Sequence, residues 1–195
     1  RLMNVLGTSA FVAKLFGRVP EGAAWLENDT DLEPRTQESL HDEVSATLER
    51  HQANDEESAR ALRGLRRREL LRIALSSMVG VSDIEQVGRA LTDLHREFIR
   101  GVLSLSTREA DGIEFAIIAM GRLGGAELSF ASDLDIVYVF RDVGAGDVGH
   151  SIAEGVVKSI SRFSEDPLFP IHLDAGLRPE GKNGPIVRSI EAYTA

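Results

Sequence analysis

The eight residues Asp-Leu-Asp-Ile-Val-Tyr-Val-Phe at 133–140 allow little but a strand, because β-branched and aromatic side chains alternate there with period two. That alternation projects Asp133 and Asp135 from one face. Two carboxylates on one face suit a hard divalent cation, and Mg²⁺ takes one or two carboxylates together with substrate phosphates. Gly124 and Gly125 lie a short loop upstream, where missing side chains let backbone N–H groups approach a phosphate. The stretch reads as a phosphate cradle beside a Mg²⁺ site, which is the chemistry of a nucleoside triphosphate. An isolated Asp-x-Asp is also a common strand-entry turn. Asp174 argues against that plainer reading: it ends a second alternating run, 169–174, predicted to pair in the same sheet and to bring a third acid to the first two.

The residues before this stretch carry helical spacing. A short apolar helix is predicted over 9–16, closed by Gly17, and Pro20 opens the next, with Trp25 and Leu26 as core contacts. Leu40, Val44 and Leu48 give 36–51 a one-sided apolar stripe. Over 57–78, Arg60, Arg63, Arg66, Arg67, Arg68 and Arg72 alternate with leucines; with glutamates nearby they read as a solvated face rather than a phosphate site. Ser82 and Glu85 form a capping-box pattern ahead of Ile84, Val87, Leu91, Leu94, Phe98, Val102 and Leu105, which predict one long helix. From Asp111 the pattern turns to strands, with a buried one over 114–120. A turn at 144–146 then leads to a helix over 151–163 capped by Ser151 and Glu154. The expected architecture is α+β: a helical region, 1–108, then a β-β-α-β catalytic core, 109–195, with a small mixed sheet.

A formal net charge of −9 disfavours a nucleic-acid partner, since phosphate neutralisation needs a basic surface. The absence of cysteine removes disulfides and thiolate zinc sites. No signal peptide or membrane-spanning run is legible, so the expected location is cytoplasmic, with no membrane partner. His41, His51, His95, His150 and His172 lack the paired spacing of a zinc site and receive no catalytic role; His172 shares the face of Asp174 only if no bulge intervenes. Ser132 reads as a loop-orienting hydroxyl. Arg1 falls within a helix-like pattern and 189–193 starts another helix, so a piece of a longer enzyme is expected.

The residues Ala-Met-Gly-Arg-Leu-Gly-Gly-Ala-Glu-Leu-Ser-Phe-Ala-Ser-Asp-Leu-Asp at 119–135 resemble the nucleotidyltransferase signature of the bifunctional glutamine synthetase adenylyltransferase/adenylyl-removing family. Leu-Asp-Ala-Gly-Leu-Arg-Pro-Glu-Gly-Lys-Asn-Gly-Pro at 173–185 resembles its second block, in wording closer to the adenylylating half. The likeness is close over 110–195 and looser over the preceding helices. It implies a DNA polymerase β-like nucleotidyltransferase fold, with Asp133, Asp135 and Asp174 as Mg²⁺ ligands. It also implies AMP transfer from ATP to a tyrosine hydroxyl of glutamine synthetase, with a PII-type nitrogen-signalling protein as a further partner. On that reading Gly124, Gly125 and Ser132 serve the nucleotide, while Arg122, Arg178 and Lys182 neutralise the leaving pyrophosphate. Arg122 stands where many relatives have Lys, and a planar fork is not equivalent to a point charge. Arg178 also reads as a strand-end cation paired with Glu180 or Asp174. Two other functions fit the residues: the phosphorolytic, adenylyl-removing reaction, and a protein-binding module with a vestigial metal site.

Overall fold

The computed structural model of the chain describes residues 1–178 and 181–193, and of Lys182 the backbone alone. The fold is α+β, in two compact units: 1–98 with 126–130, and 99–125 with 131–195. Among the described residues no helix is long and apolar enough to cross a membrane.

The first unit is helical. Its elements are α1 (Leu2–Thr8), α2 (Ala10–Phe16), a 3₁₀ helix (Pro20–Glu27), α3 (Asp29–Leu32), α4 (Gln37–Arg50) and α5 (Asp55–Val79); the longest after these, α6 (Ile84–Ser106), runs through both units. The starts follow capping chemistry. Ser9, Thr36 and Asn54 each accept a backbone N–H of the first turn they precede. Gly80, at φ 79°, ends α5 in the left-handed conformation that glycine adopts without penalty. Leu15, Leu32, Leu62, Leu71, Leu75 and Leu91 are completely buried, each contributing about 1.5–3 kcal/mol.

Three expectations for this region need correction. The capping box sits one residue later than read: Asp83 Oδ1 accepts the Gln86 N–H and Gln86 Oε1 accepts the Asp83 N–H, both at 2.8 Å, while the Ser82 hydroxyl bonds that of Ser76 at 2.6 Å. Ile84, now in the first turn, is exposed rather than core. The arginines of α5 are not all solvated. Arg66 is buried, 5.7 Å from the Phe98 ring centroid, and Arg68 and Arg72 converge on Glu69, which is 1% exposed. Trp25 is half-buried beneath the Arg72 guanidinium, 4.2 Å from its ring centroid. His95 is structural: burial, then the nearby Arg66 charge, pull its pKa down to about 4, so a neutral ring donates from Nδ1 to the Leu91 carbonyl at 2.7 Å.

The second unit holds the sheet. β1 (Ile113–Ala119) pairs antiparallel with β2 (Leu134–Asp142), from Ile113 opposite Asp142 to Ala119 opposite Ile136. Between them lies α7 (Gly121–Gly125), a short helix where the sequence reading placed a loop. After α8 (Gly149–Ser164) come β3 (Leu173–Asp174) and β4 (Val187–Ser189), both parallel to β2. The third strand is thus two residues rather than the six expected; Pro170, within the expected run, cannot donate to a ladder. β4 was not anticipated. The helix expected to begin near Ser189 is a single 3₁₀ turn, Ile190–Tyr193. The Ser151 cap is corrected too: α8 starts at Gly149 with no side-chain cap, and Glu154 faces His150 at 3.5 Å.

α8 packs on the face of β2 that carries Tyr138 and Phe140; the Phe140 and His150 ring centroids are 5.8 Å apart. Burial pushes the Tyr138 hydroxyl up to about 12, so it stays protonated. Asp135, of opposite parity, projects from the other face.

Candidate active site

β2 organises the acids. Its first residue, Leu134, donates its N–H to the His172 carbonyl at 2.8 Å, which draws β3 alongside in parallel. Leu134 lies opposite Leu173, and Asp135 opposite Asp174. Neighbouring strands are about 4.8 Å apart, so two of the predicted acids occupy adjacent positions on one face, with Asp133 just before β2. Carrying the offset back one residue sets Asp133 against His172.

Their surroundings differ. Asp174 is exposed, and its Oδ1 accepts the Gly176 N–H at 2.7 Å, closing a tight turn. A Cβ on residue 176 would lie 2.8 Å from that oxygen, which accounts for the glycine. Asp133 is exposed and Asp135 half-buried, and among the described residues neither carboxylate has a hydrogen-bond or ion-pair partner. Neither carboxylate is committed to a partner among the described residues, so both are available to a cation.

The glycine-rich stretch meets the acids from the β1 side. Met120 donates its N–H to the Asp135 carbonyl at 2.8 Å, and the chain turns directly into α7. Gly121 has φ 49°, and a Cβ there would collide with the Asp135 carboxylate. Gly124 is constrained for another reason, since a Cβ would approach the Ala119 carbonyl to 2.9 Å; its own N–H donates to the Met120 carbonyl at 2.8 Å. Gly125 ends the helix. Arg122 Nη1 reaches the Ser132 hydroxyl at 3.4 Å, which brings those two expected site residues together. Arg178 braces its own loop, donating from Nη1 to the Ala175 carbonyl at 2.7 Å and from Nε to the Gly184 carbonyl at 3.2 Å. Glu180 and the Lys182 side chain lie outside the described residues.

Gly121→Ala is expected to lower the thermal midpoint by about 5 °C, since a left-handed alanine costs about 1–2 kcal/mol and the new methyl must displace a carboxylate. Gly155→Ala in α8, where nothing lies within 4 Å of the new Cβ, should leave the midpoint unchanged or raise it. Equal shifts in circular-dichroism melts of the two variants would show that the contact with Asp135 has no energetic consequence.

The model of the family described as glutamate-ammonia ligase adenylyltransferase matches residues 1–195. The chain belongs to that family. Among its relatives, each named bifunctional glutamine synthetase adenylyltransferase/adenylyl-removing enzyme, that of Leifsonia xyli is 49% identical over 199 residues, covering 100% of this chain and 20% of its own length. The Cutibacterium acnes protein is 40% identical, covering 99% of this chain and 19% of its own length; that of Mycobacterium tuberculosis is 38% identical, covering 100% and 21%. The chain therefore spans about a fifth of the length of the curated relatives it matches. The bifunctional enzyme family recognised in residues 119–135 and 173–185 is the family of the whole chain.

For this adenylyltransferase-family chain the donor set fits Mg²⁺ in type and number, because that ion takes one or two carboxylates and completes its shell with water and phosphate oxygens. Among the described residues no three His, Asp or Glu side chains form a ready-made metal cage.

The sequence reading overlooked Arg162 as a neighbour of the acids and allowed His172 no catalytic role beside them. His172 and Arg162 line a cleft of about 840 Å³ together with Asp133 and Asp174. The alternation of 172 with 174 was a usable signal for the histidine. Arg162 carried none, being one basic residue near the end of a helix.

Proposed function

We propose that this chain is the nucleotidyl-transfer core of an adenylyltransferase that moves AMP from ATP to a tyrosine hydroxyl of glutamine synthetase, releasing pyrophosphate. The observation that carries the reading is the register of Asp135 with Asp174, with the unpaired Asp133 one residue ahead of β2. The polymerase β-like assignment of the small sheet belongs to the same reading.

Asp133 and Asp135 would hold Mg²⁺ against the triphosphate, and Asp174 would complete a second metal position near the incoming hydroxyl. When bound, the metal supplies positive charge to the phosphates and acidifies a hydroxyl whose ordinary pKa is near 10. The chain's own groups do the positioning. Gly121 lets the Asp135 carboxylate lie against the start of α7. Arg122, oriented by Ser132, faces phosphate with a two-pronged donor. Gly124 and Gly125 keep that segment free of side chains, while Arg178 and Lys182 bring positive charge to the loop after β3. A PII-type nitrogen-signalling protein is the proposed regulator.

Asp174→Asn tests the division of labour. Asparagine keeps an oxygen for the Gly176 N–H, so the turn should survive, while a charged ligand is lost. The expected result is Mg²⁺–ATP affinity within about twofold of wild type by calorimetry, with single-turnover transfer to glutamine synthetase about a hundredfold slower, or about 2.7 kcal/mol in the barrier. Transfer at the wild-type rate would make Asp174 a strand-end residue only. The relatives' names join a transferase and an adenylyl-removing activity. Chromatography of the nucleotide products separates them: pyrophosphate marks transfer from ATP, and ADP formed from phosphate and adenylylated protein marks removal.

A further inference from the structure

The cleft beside the acids has a lining that the nucleotide reading leaves unused. Around β2, α7 follows β1 and packs on both β1 and β2, and the loop carrying Ser132 leads into β2, whereas the cleft adjoins β3 and the end of α8. Asp133 and Asp174 form part of its wall. Its volume of about 840 Å³ falls within the range of about 300–1,000 Å³ typical of ligand sites. Pro170 and Ile171 offer an apolar surface, and Arg162 and His172 are exposed polar groups beside it.

Phosphoryl and nucleotidyl transfer place the attacking and leaving oxygens roughly in line, on opposite sides of the phosphorus. If pyrophosphate leaves on the α7 side, where Gly121, Arg122 and Ser132 stand, the attacking hydroxyl must arrive from the β3 side. That side is the cleft. We infer that the cleft seats the acceptor, a polypeptide segment carrying a tyrosine hydroxyl, and that Arg162 and His172 set the enzyme's affinity for it. This rests on the AMP-transfer reading. Pro170 and Ile171 provide a wall for the phenol ring. Arg162, whose guanidinium also lies 5.5 Å from the Phe163 ring centroid, offers a planar fork to a backbone carbonyl or a side-chain carboxylate of the acceptor, and the His172 ring offers a hydrogen bond next to Asp174. Both act by positioning the acceptor; the bond that forms is tyrosine oxygen to α-phosphorus, and the one that breaks is α-phosphorus to the bridging oxygen of pyrophosphate.

The test uses the full-length protein with Mg²⁺–ATP and glutamine synthetase, comparing wild type with Arg162→Ala, Arg162→Lys, His172→Ala and His172→Gln. Arg162→Ala and His172→Ala should each raise KM for glutamine synthetase about tenfold, the loss of one hydrogen bond to a partner. ATP affinity by calorimetry should stay within about twofold of wild type. Arg162→Lys and His172→Gln should recover part of the loss. Both side chains are at exposed positions, and melting curves establish that the four variants fold. A fall in ATP affinity with KM for the acceptor unmoved would assign the cleft to the nucleotide and overturn the inference. So would unchanged values of both in variants of an active enzyme. A wild-type protein that adenylylates no protein would remove the acceptor altogether, and the transfer reading would fall with the inference.

Discussion

Asp135→Asn should slow AMP transfer about a thousandfold, or about 4 kcal/mol in the barrier, without lowering thermal stability. The two halves of that expectation have one cause. Asp135 is half-buried, sits opposite Asp174 in the ladder and lies against Gly121, and its carboxylate has no cationic or hydrogen-bonding partner among the described residues. A carboxylate in that setting contributes nothing to the fold that asparagine would forfeit, and relieving it should leave the melting temperature unchanged or slightly higher, the usual trade between stability and function. What asparagine cannot supply is the negative charge a divalent cation requires. Single-turnover transfer at saturating Mg²⁺ and a melting curve measure both halves. Near-normal transfer would remove Asp135 from the reaction, and a large drop in melting temperature would show that the carboxylate serves the fold instead.

The position of the candidate site in the fold was legible because the signals that mark it are local. Period-two alternation located β2, and glycines marked where the backbone approaches closely, so the positions of Asp133, Asp135, Gly124 and Gly125 followed from a short stretch of sequence. Pairing was less accessible. The alternation of 169–174 pointed to Asp174, yet only Leu173 and Asp174 join the ladder, and Pro170 interrupts the run. β4 is three residues long and has no periodicity to find. Caps failed where two candidate motifs overlapped: Ser82 with Glu85 and Asp83 with Gln86 are equally good patterns, and the choice fell to Asp83 because the Ser82 hydroxyl bonds Ser76. The arginines of α5 were misjudged for a different reason. A charge becomes internal through partners distant in sequence, and Arg35, eight residues from Glu43 and 34 from Glu69, joins both.

Glu69→Ala should be among the most destabilising single changes in the helical unit, at about 3 kcal/mol or about 10 °C in melting temperature. Glu69 is almost fully buried, and its two oxygens meet Arg72 Nε at 2.9 Å, Arg68 Nε at 3.2 Å and Arg35 Nε at 3.5 Å. Removing the acid leaves guanidinium groups beside a space they cannot fill, and Arg72 cannot simply swing away. It is 13% exposed, stacks on Trp25 and donates to the Asp31 carbonyl. Arg35 and Arg68 are about a third exposed, so water absorbs part of the loss and the lower end of the range for a broken buried pair applies. Glu43, whose own burial would raise its pKa, is nonetheless held below the ordinary carboxylate value by Arg35, Arg68 and Arg50. It stays charged to draw Arg35 and Arg68 partly back. Glu69→Gln keeps a hydrogen-bond acceptor and should lose about half as much. The exposed pair of Glu85 with Arg89 serves as comparison, and Glu85→Ala should change stability by no more than about 0.5 kcal/mol. Chemical denaturation of the three variants decides the matter: if Glu69→Ala costs no more than Glu85→Ala, the arginines find water or other partners on losing Glu69, and the buried network does not hold α5 to its neighbours.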